Sequence, residues 1–349
     1  SFGKCIFMPS DLTAGIEFNQ DKLEDNMWGY HRTVDQKVNI GSAFLQNEWK
    51  NDHWGFLLGG RLDKHNLIDH IIFSPRANLR FNPTQNINLR LSYSSGFRAP
   101  QAFDEDLHVE NVGGNVAMVE LAKDLKEERS QSLSASADIY HRFGAFQINF
   151  LVEGFYTKLS DVFALTDGEV VDGILTRTRY NAPGARVMGL TLEGKMAYAW
   201  LQLQAGATIQ RSRYKEAVTW SETNPDLPAQ KKMFRTPDVY GYFTSTFTPV
   251  KRLAISFTGT YTGTMLVQHL AGYIPEDREE KTPDFFDLNM KVAYDFPLYK
   301  SVTLQVNAGV QNIFEAYQSD FDQGKDRDSK YIYGPGMPRS YFVGCKISY

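Results

Sequence analysis

Apolar and polar side chains alternate along most of this chain with a period of two. In the segment 284–296 the even positions from Phe286 to Phe296 are apolar, whereas the odd positions between them are polar apart from Ala293. This period is typical of a strand with one apolar face, and no comparable helical stripe occurs. The pattern predicts about fourteen strands, roughly at 11–20, 35–50, 54–64, 70–82, 86–96, 129–142, 145–160, 184–199, 201–214, 238–249, 252–265, 284–296, 301–314 and 340–349.

The connections between these strands alternate in length. A soluble β-sandwich has no reason to sort its loops in this way, whereas a barrel that crosses a bilayer has tight turns on one side and long loops on the other. Strands of about ten residues also match a tilted membrane span. We therefore predict an all-β fold, an antiparallel transmembrane β-barrel, with a soluble all-β protein as the alternative. The tight connections are 51–53, 82–85, 142–144, 199–200, 249–251 and 297–300, and the long ones include 97–128, 161–183, 215–237, 266–283 and 315–339.

Composition narrows the classes of protein that fit this pattern. The formal net charge of −4 offers no basic surface for nucleic acid. The two cysteines, Cys5 and Cys345, define no disulfide framework. No apolar run is long enough for a membrane helix. The polar strand faces are rich in Gln, Asn, Ser and Thr, as expected for a barrel lumen. Aromatic residues near strand ends fit the girdles of such barrels: Tyr198, Trp200, Tyr261, Tyr294 and Tyr299.

The last ten residues, "SYFVGCKISY", alternate between apolar and small or polar positions and end on Tyr349. This stretch resembles the C-terminal strand of bacterial outer-membrane proteins. On that interpretation Tyr349 lies at the periplasmic rim, the tight turns are periplasmic and the long loops are outside. Cys345 then faces lipid as a small hydrophobic residue.

Two longer stretches carry a more specific pattern. The first is "YSSGFRAPQAFDEDLH" at 93–108, in which a strand ends in a Gly-Phe-Arg-Ala-Pro run. The second is "GVQNIFEAYQSDFDQGKDRDSKYIYGPGMPRSYFVGCKISY" at 309–349, which contains Asn312-Ile313-Phe314 and Pro338-Arg339. Both stretches resemble TonB-dependent outer-membrane receptors, most closely those of the Bacteroidetes type.

The resemblance implies a multi-pass barrel of about 22 strands in a Gram-negative outer membrane, surrounded by outer-membrane lipids. It also implies a plug domain inside the barrel and uptake driven by TonB. Residues 1–349 contain too few strands for that barrel and no plug, so we expect them to be the C-terminal portion of a receptor. A fourteen-stranded barrel that closes on itself is the alternative.

The implied cargo is a metal chelate: a siderophore, haem or a corrinoid such as cobalamin. A passive porin-like channel and an importer of oligosaccharide or peptide are alternatives, and a surface lipoprotein is a further partner to consider. No catalytic motif is found, so an enzyme is not expected.

Arg98 is the first candidate for ligand binding. Gly96 permits a bend and Pro100 cannot donate to a ladder, so strand pairing is expected to end there. The guanidinium would then lie at the lumen mouth, where its planar fork suits a carboxylate of the ligand or the plug. Alternatively, Arg98 pairs with Asp104, Glu105 or Asp106 and orders the loop.

Aromatic and basic residues on the long loops are candidates for capturing an aromatic, acidic chelate by stacking and charge. For each of them, ordinary solvated loop chemistry is the alternative. The candidates are Arg177, Arg179, Tyr180, Trp220 and Tyr273, with Arg213, Tyr214, Tyr331 and Tyr333 as further members.

Two weaker patterns concern metals. Met265 and His269, with His31 and His108, are of the type that ligates soft metals or haem. The acidic run "DFDQGKDRD" suggests a Ca²⁺ site, although it departs from the EF-hand pattern; its carboxylates are Asp320, Asp322, Asp326 and Asp328. Cobalamin-type receptors of the resembled family hold calcium in outer loops, whereas a solvated acidic loop is the alternative. No cofactor is otherwise expected.

Overall fold

The structure, a computed structural model, describes residues 4–5, 8–30, 32–100, 110–112, 115–221 and 224–349. Strands account for most of these residues, with one short 3₁₀ helix at Trp28–Tyr30. None of the described helical residues forms a segment long and apolar enough to cross a membrane. The strands are β1 Lys4–Cys5, β2 Met8–Met27, β3 Arg32–Lys50, β4 Trp54–His65, β5 Ile72–Thr84, β6 Ile87–Arg98, β7 Glu110–Val112, β8 Asn115–Leu121, β9 Glu128–Phe143, β10 Phe146–Ser160, β11 Val162–Val171, β12 Ile174–Ala182, β13 Ala185–Tyr198, β14 Leu201–Val218, β15 Gln230–Lys232, β16 Val239–Phe247, β17 Leu253–Thr262, β18 Leu266–His269, β19 Arg278–Lys281, β20 Phe285–Tyr299, β21 Val302–Gln311 and β22 Ser340–Ser348.

One large antiparallel sheet forms the wall of the molecule. Its strand order is β1-β2-β3-β4-β5-β6-β9-β10-β13-β14-β16-β17-β20-β21-β22, and β15 adds to β14. Each long strand therefore pairs with the next long strand along the chain, as in an up-and-down barrel wall. All fourteen predicted strands are present, and the predicted fold class is confirmed. In the described residues β1 pairs only with β2, and β22 pairs only with β21.

The strand register aligns one continuous apolar face across this wall. At its C-terminal end Val306 lies opposite Cys345 and Val310 opposite Tyr341. The large side chains on this face are open to the surroundings: Ile16 is 90% exposed and Val343 is 81% exposed. Apolar side chains that project outward in this way belong to a lipid-facing surface rather than a water-facing one.

The other face of the wall is polar, and its side chains bond across strands. The hydroxyls of Thr191 and Thr208 are 2.9 Å apart, and those of Ser132 and Thr157 are also 2.9 Å apart. Uncharged pairs of this kind satisfy one another inside a lumen. One face of the wall is thus apolar and the other polar, as the period-two pattern predicts.

Aromatic rings cluster at the edge with the tight turns. The ring centroids of Trp54 and Phe81 are 4.2 Å apart. Further along the same edge, Trp200 lies 5.7 Å from Tyr198 and 5.2 Å from Phe247. This row has the character of an aromatic girdle at a membrane interface.

The long connections at the opposite edge contain more structure than the sequence pattern predicts. The connections at 97–128 and 161–183 together form a four-stranded sheet of order β11-β12-β8-β7, which we call the loop sheet. The connection at 266–283 forms the β18–β19 hairpin. These strands are short, and the parallel pairing of β12 with β8 joins distant segments. Period-two patterning cannot detect such non-local pairing.

The β2–β3 hairpin is also longer than predicted. Its strands have 20 and 19 residues, whereas about ten residues cross a membrane. The additional residues, up to the Met27–Arg32 pair, continue the ladder beyond the membrane on the side of the long connections.

Candidate functional site

Two of the predicted arginines meet around one aromatic ring where β6 leaves the wall. The Cζ atom of Arg98 lies 5.1 Å from the centroid of the Phe163 ring, and that of Arg179 lies 5.8 Å from it. Both distances fall in the range of cation–π contacts. Glu128, which is opposite Arg98 in the β6–β9 ladder, accepts a 2.9 Å hydrogen bond from the Phe163 backbone N–H. The wall thus fixes the ring within cation–π distance of both guanidinium groups.

A third predicted arginine lies on the same side of the loop sheet. Leu175, Arg177 and Arg179 alternate along β12, and all three are buried, with 9%, 9% and 4% exposure. Leu175 packs against Leu270 from the segment after β18. This face of β12 is therefore turned toward the other outer connections and not toward solvent. Both guanidinium groups of β12 are therefore enclosed by the packing of the outer connections.

The remaining ligand candidates are distributed over other elements. Tyr180 lies opposite Ala164 in the β11–β12 ladder, and Tyr214 lies opposite Ala185 in the β13–β14 ladder. Tyr273 is 56% exposed, in the connection between β18 and β19. These residues are not brought to the Phe163 ring by any contact in the described part of the chain.

Trp220 has a structural partner instead. Its indole N–H donates a 2.9 Å hydrogen bond to Glu279, and its ring meets Phe234 edge-on at 5.7 Å. The indole therefore joins the β14–β16 connection to β19. Arg213 pairs in the ladder with Lys232 of β15. Asp104, Glu105, Asp106, His31 and His108 lie outside the described residues.

The acidic run does not form the predicted Ca²⁺ cluster in this structure. Asp322 binds His269 Nε2 at 3.0 Å, and Asp328 accepts a 3.0 Å bond from the backbone N–H of Leu270. Asp320 accepts bonds from two tyrosines. Among the described residues, no group of three or more His, Cys, Asp or Glu side chains is placed to hold a metal ion. The carboxylates, Asp326 included, thus have no common centre, and Ca²⁺ binding stays a prediction.

His269 and Met265 also do not form a joint ligand pair. His269 stacks on Tyr331 with ring centroids 3.6 Å apart, and its Nε2 faces Asp322. Met265 is part of an apolar cluster with Val267 and Tyr331. Packing and an ion pair account for both side chains.

A buried acid that the sequence did not reveal lies directly before β9, next to Glu128. Glu127 is 5% exposed; Arg129 Nη2 lies 2.6 Å from its carboxylate, and His70 Nε2 lies 3.0 Å from it. Burial acts to raise the pKa of Glu127, but the bonds from Arg129 and His70 prevail and hold the pKa below its ordinary value. Only the fold brings residue 70 to residue 127, so no local sequence signal could identify this cluster.

We expect acid to loosen the segment 122–129. The lowered pKa of Glu127 gives stability that is fully present above its ordinary value of 4.5 and is lost as the pH falls through the lower folded value. Hydrogen exchange of this segment, corrected for intrinsic rates, should be faster at about pH 3 than at about pH 6. A Glu127→Gln variant should show less of this pH dependence. Glu153→Gln is the control and should keep the pH dependence of the parent. If Glu127→Gln keeps it as well, Glu127 is not the group whose protonation loosens the segment.

Comparison with known proteins gives the family. A model of the family described as "TonB dependent receptor-like, beta-barrel" matches residues 4–313. No relative was found among curated proteins.

Solved structures show the same fold. The siderophore receptor PirA from Acinetobacter baumannii has a TM-score of 0.70 at 16% identity, covering 97% of this chain and 52% of that one. A mutant of the ferric enterobactin receptor PfeA from Pseudomonas aeruginosa has a TM-score of 0.67 at 17% identity, covering 97% and 51%. The FrpB iron transporter from Neisseria meningitidis (F5-1 variant) has a TM-score of 0.67 at 16% identity, covering 98% and 53%.

The chain spans about half the length of these solved receptors. The family consists of outer-membrane transporters, not enzymes, which agrees with the lipid-facing apolar surface of the wall. The predicted location in the outer membrane is thereby confirmed. With most of its length matched by the family model, this chain belongs to the β-barrel family of TonB-dependent receptors.

Proposed function

We propose that this chain is the barrel portion of a transporter that imports an anionic metal chelate, with a ferric siderophore as the first candidate. Family membership supports active transport through TonB. The similar solved structures are receptors for siderophores and iron, which supports this choice among the chelates considered. Haem and corrinoids are the other members of that class.

The observation that carries the proposal is the Arg98–Phe163–Arg179 cluster. It combines two guanidinium groups with an aromatic ring, and a third guanidinium follows on the same face of β12. Guanidinium groups bind carboxylates and other oxyanions with two parallel bonds, and an aromatic ring gives a ligand ring a surface for stacking. An acidic aromatic chelate presents both features.

The proposed transport involves further partners. A plug domain inside the barrel would transmit the action of TonB, and lipids of the outer membrane would surround the apolar face. A surface lipoprotein is a further proposed partner on the side of the long connections.

Uptake of radioactive iron from defined chelates tests the proposal. A strain without its own copy, complemented with the full-length receptor, would be offered iron as a catecholate, a hydroxamate and haem, with labelled cobalamin in parallel. We expect TonB-dependent uptake of one of them. The Arg98→Gln/Arg179→Gln variant should lower it about tenfold or more, because a lost charged hydrogen bond is worth about 1.5–3 kcal/mol.

The matched control is Arg186→Gln. Arg186 lies in β13 opposite Lys158, and its side chain is exposed, so uptake should be unchanged. Full uptake by the double variant would contradict the assigned role of the cluster. Conductance that needs neither TonB nor energy would indicate a passive channel. Energy-dependent uptake of labelled oligosaccharide or peptide, without uptake of any chelate, would show that the cargo is not a metal chelate.

A further inference from the structure

Two phenol groups converge on one carboxylate in the connection between β21 and β22. The hydroxyl of Tyr331 donates to Asp320 Oδ2 at 3.1 Å, and the hydroxyl of Tyr333 donates to Asp320 Oδ1 at 2.6 Å. The two tyrosine rings lie 5.3 Å apart and nearly perpendicular to each other. Four oxygen atoms, two from the carboxylate and two from the phenols, thus share one small volume.

The side chain of Gln318 holds the backbone of Tyr331 and Tyr333 in place. It is 1% exposed. Its amide N–H donates to the carbonyl of Tyr331 at 3.0 Å, and its amide oxygen accepts the backbone N–H of Tyr333 at 2.8 Å. Gln318, which precedes Asp320 by two residues in the sequence, therefore fixes the backbone of both tyrosines. Such support from a second layer is what keeps a coordination site in a productive geometry.

The tyrosine rings are fixed by packing as well. Tyr331 is 5% exposed, stacks on His269 and packs with Met265 and Val267. Tyr333 lies 6.1 Å from the Phe285 ring. Asp320, by contrast, is exposed. A cation can therefore approach through the carboxylate while the phenols stay oriented.

The charged groups near the cluster are engaged by other partners. Glu280 of β19 lies 3.6 Å from Arg278, and His269 is engaged by Asp322. Arg235 directs its guanidinium to the backbone carbonyls of Lys330 and Ile332. Asp320 is the carboxylate that meets the phenols, and its exposed side chain gives a cation a negative group to approach.

We propose that Asp320, Tyr331 and Tyr333 form a coordination site for ferric iron, with one carboxylate and two phenolate oxygens as protein ligands. Binding replaces two O–H bonds by two O–Fe bonds and releases two protons to solvent, and the iron stays trivalent throughout. The proposal goes beyond the import of an intact chelate, because the metal itself would bind to side chains. It does not depend on the transport function.

The donor atoms of the cluster favour a hard, strongly polarising cation. All of them are oxygens, and two of the three side chains are phenols. Ferric iron is a hard trivalent ion with strong affinity for phenolate oxygen, whereas Ca²⁺ and Mg²⁺ favour carboxylate, carbonyl and water ligands.

Titration of the purified full-length receptor with ferric nitrilotriacetate tests this inference. Iron bound by phenolate gives a visible charge-transfer absorption, which neither the free protein nor the added complex should show at that strength. We expect this absorption to saturate at one iron per protein and to be accompanied by proton release. Tyr333→Phe should weaken the apparent affinity more than tenfold, and Tyr331→Phe/Tyr333→Phe should abolish the absorption.

Two matched controls lie in the same connection. Tyr317→Phe removes a tyrosine hydroxyl that is not bonded to Asp320, and Asp326→Asn removes a carboxylate of the same acidic run; both should bind iron as the parent does. Asp320→Asn should behave like the tyrosine variants. Since Tyr331→Phe could disturb the loop, Tyr333→Phe, which leaves the buried Tyr331 in place, is the decisive single variant.

Absence of the absorption in the parent receptor would overturn the inference, as would a full signal in the double variant. Gallium nitrilotriacetate gives a second readout, since metal-bound tyrosinate changes the ultraviolet difference spectrum without visible colour. If Tyr333→Phe loses iron binding but keeps chelate uptake, the iron site exists and is independent of the proposed transport function. Loss of uptake in Arg98→Gln/Arg179→Gln with iron binding retained would separate the two in the other direction.

Discussion

The Asn312→Ala variant is expected to lose roughly 2–4 kcal/mol of unfolding free energy. The loss has two causes, because alanine disfavours the left-handed backbone conformation at this position and cannot form the buried hydrogen bonds of the asparagine side chain. Asn312 follows β21 directly and is 4% exposed, with a φ of 49°. Asparagine tolerates this conformation better than alanine. The side chain also joins the two ends of the β21–β22 connection. Its amide N–H groups donate to Met337 at 2.9 Å and to Ala316 at 3.3 Å, and its oxygen accepts from the Ala316 N–H at 2.8 Å.

The temperature at which the purified barrel loses its compact electrophoretic form measures this effect. Asn312→Gly should recover the part of the loss that arises from the backbone, because glycine adopts positive φ without cost. Asn312→Asp should keep the acceptor but would set a carboxylate oxygen against the carbonyls of Ala316 and Met337 at a buried position, so it should lose at least as much stability as the alanine variant. Three variants with the parent's transition temperature would show that the hydrogen bonds of Asn312 do not hold the connection.

The second large effect is expected for Gly184→Ala, at the junction of the loop sheet and the wall. A Cβ atom at Gly184 would lie 2.3 Å from the carbonyl oxygen of Leu159, and φ is 21° there. The obstacle is backbone of β10, so the β12–β13 junction has to move. We expect a loss of about 3 kcal/mol, at the upper end of the cost of overpacking. Because β12 carries Arg177 and Arg179, chelate uptake should fall as well.

Limited proteolysis of the segment 162–182 and thermal unfolding would measure the displacement. Gly154→Ala in β10 is the matched control, because a Cβ there meets nothing within 4 Å. We expect Gly154→Ala to behave as the parent. Equal protease resistance of the Gly184→Ala and Gly154→Ala variants would show that the loop sheet does not depend on the close approach at Gly184.

The Asn312 and Gly184 contacts show the limit of sequence patterns. Asn312 lies in a stretch that resembles the receptor family, but its bonds to residues 316 and 337 cannot be read from spacing. The requirement for glycine at 184 arises from a strand about 25 residues earlier. Both features depend on which backbone groups the fold places side by side.

The candidate site was predictable only in its residue types. Arg98, Arg177 and Arg179 were expected at or on the outer connections, and the structure places Arg98 at the end of β6 and the other two on β12 of the loop sheet. Phe163, whose ring contacts two of them, had no distinguishing sequence pattern. The acidic run predicted a Ca²⁺ site, whereas the fold distributes its carboxylates among His269, backbone N–H groups and two tyrosines.

The sequence by itself determined the wall of this protein. Period-two alternation decides which face of each strand meets lipid, and the sorting of tight and long connections decides the up-and-down order. Both are local properties, because each strand pairs with its neighbour along the chain. Only the tertiary structure decided the outer connections. There β8 pairs with β12 and His269 meets Asp322 across separations of more than fifty residues. The energy of such contacts depends on distances in space that no periodicity along the chain encodes.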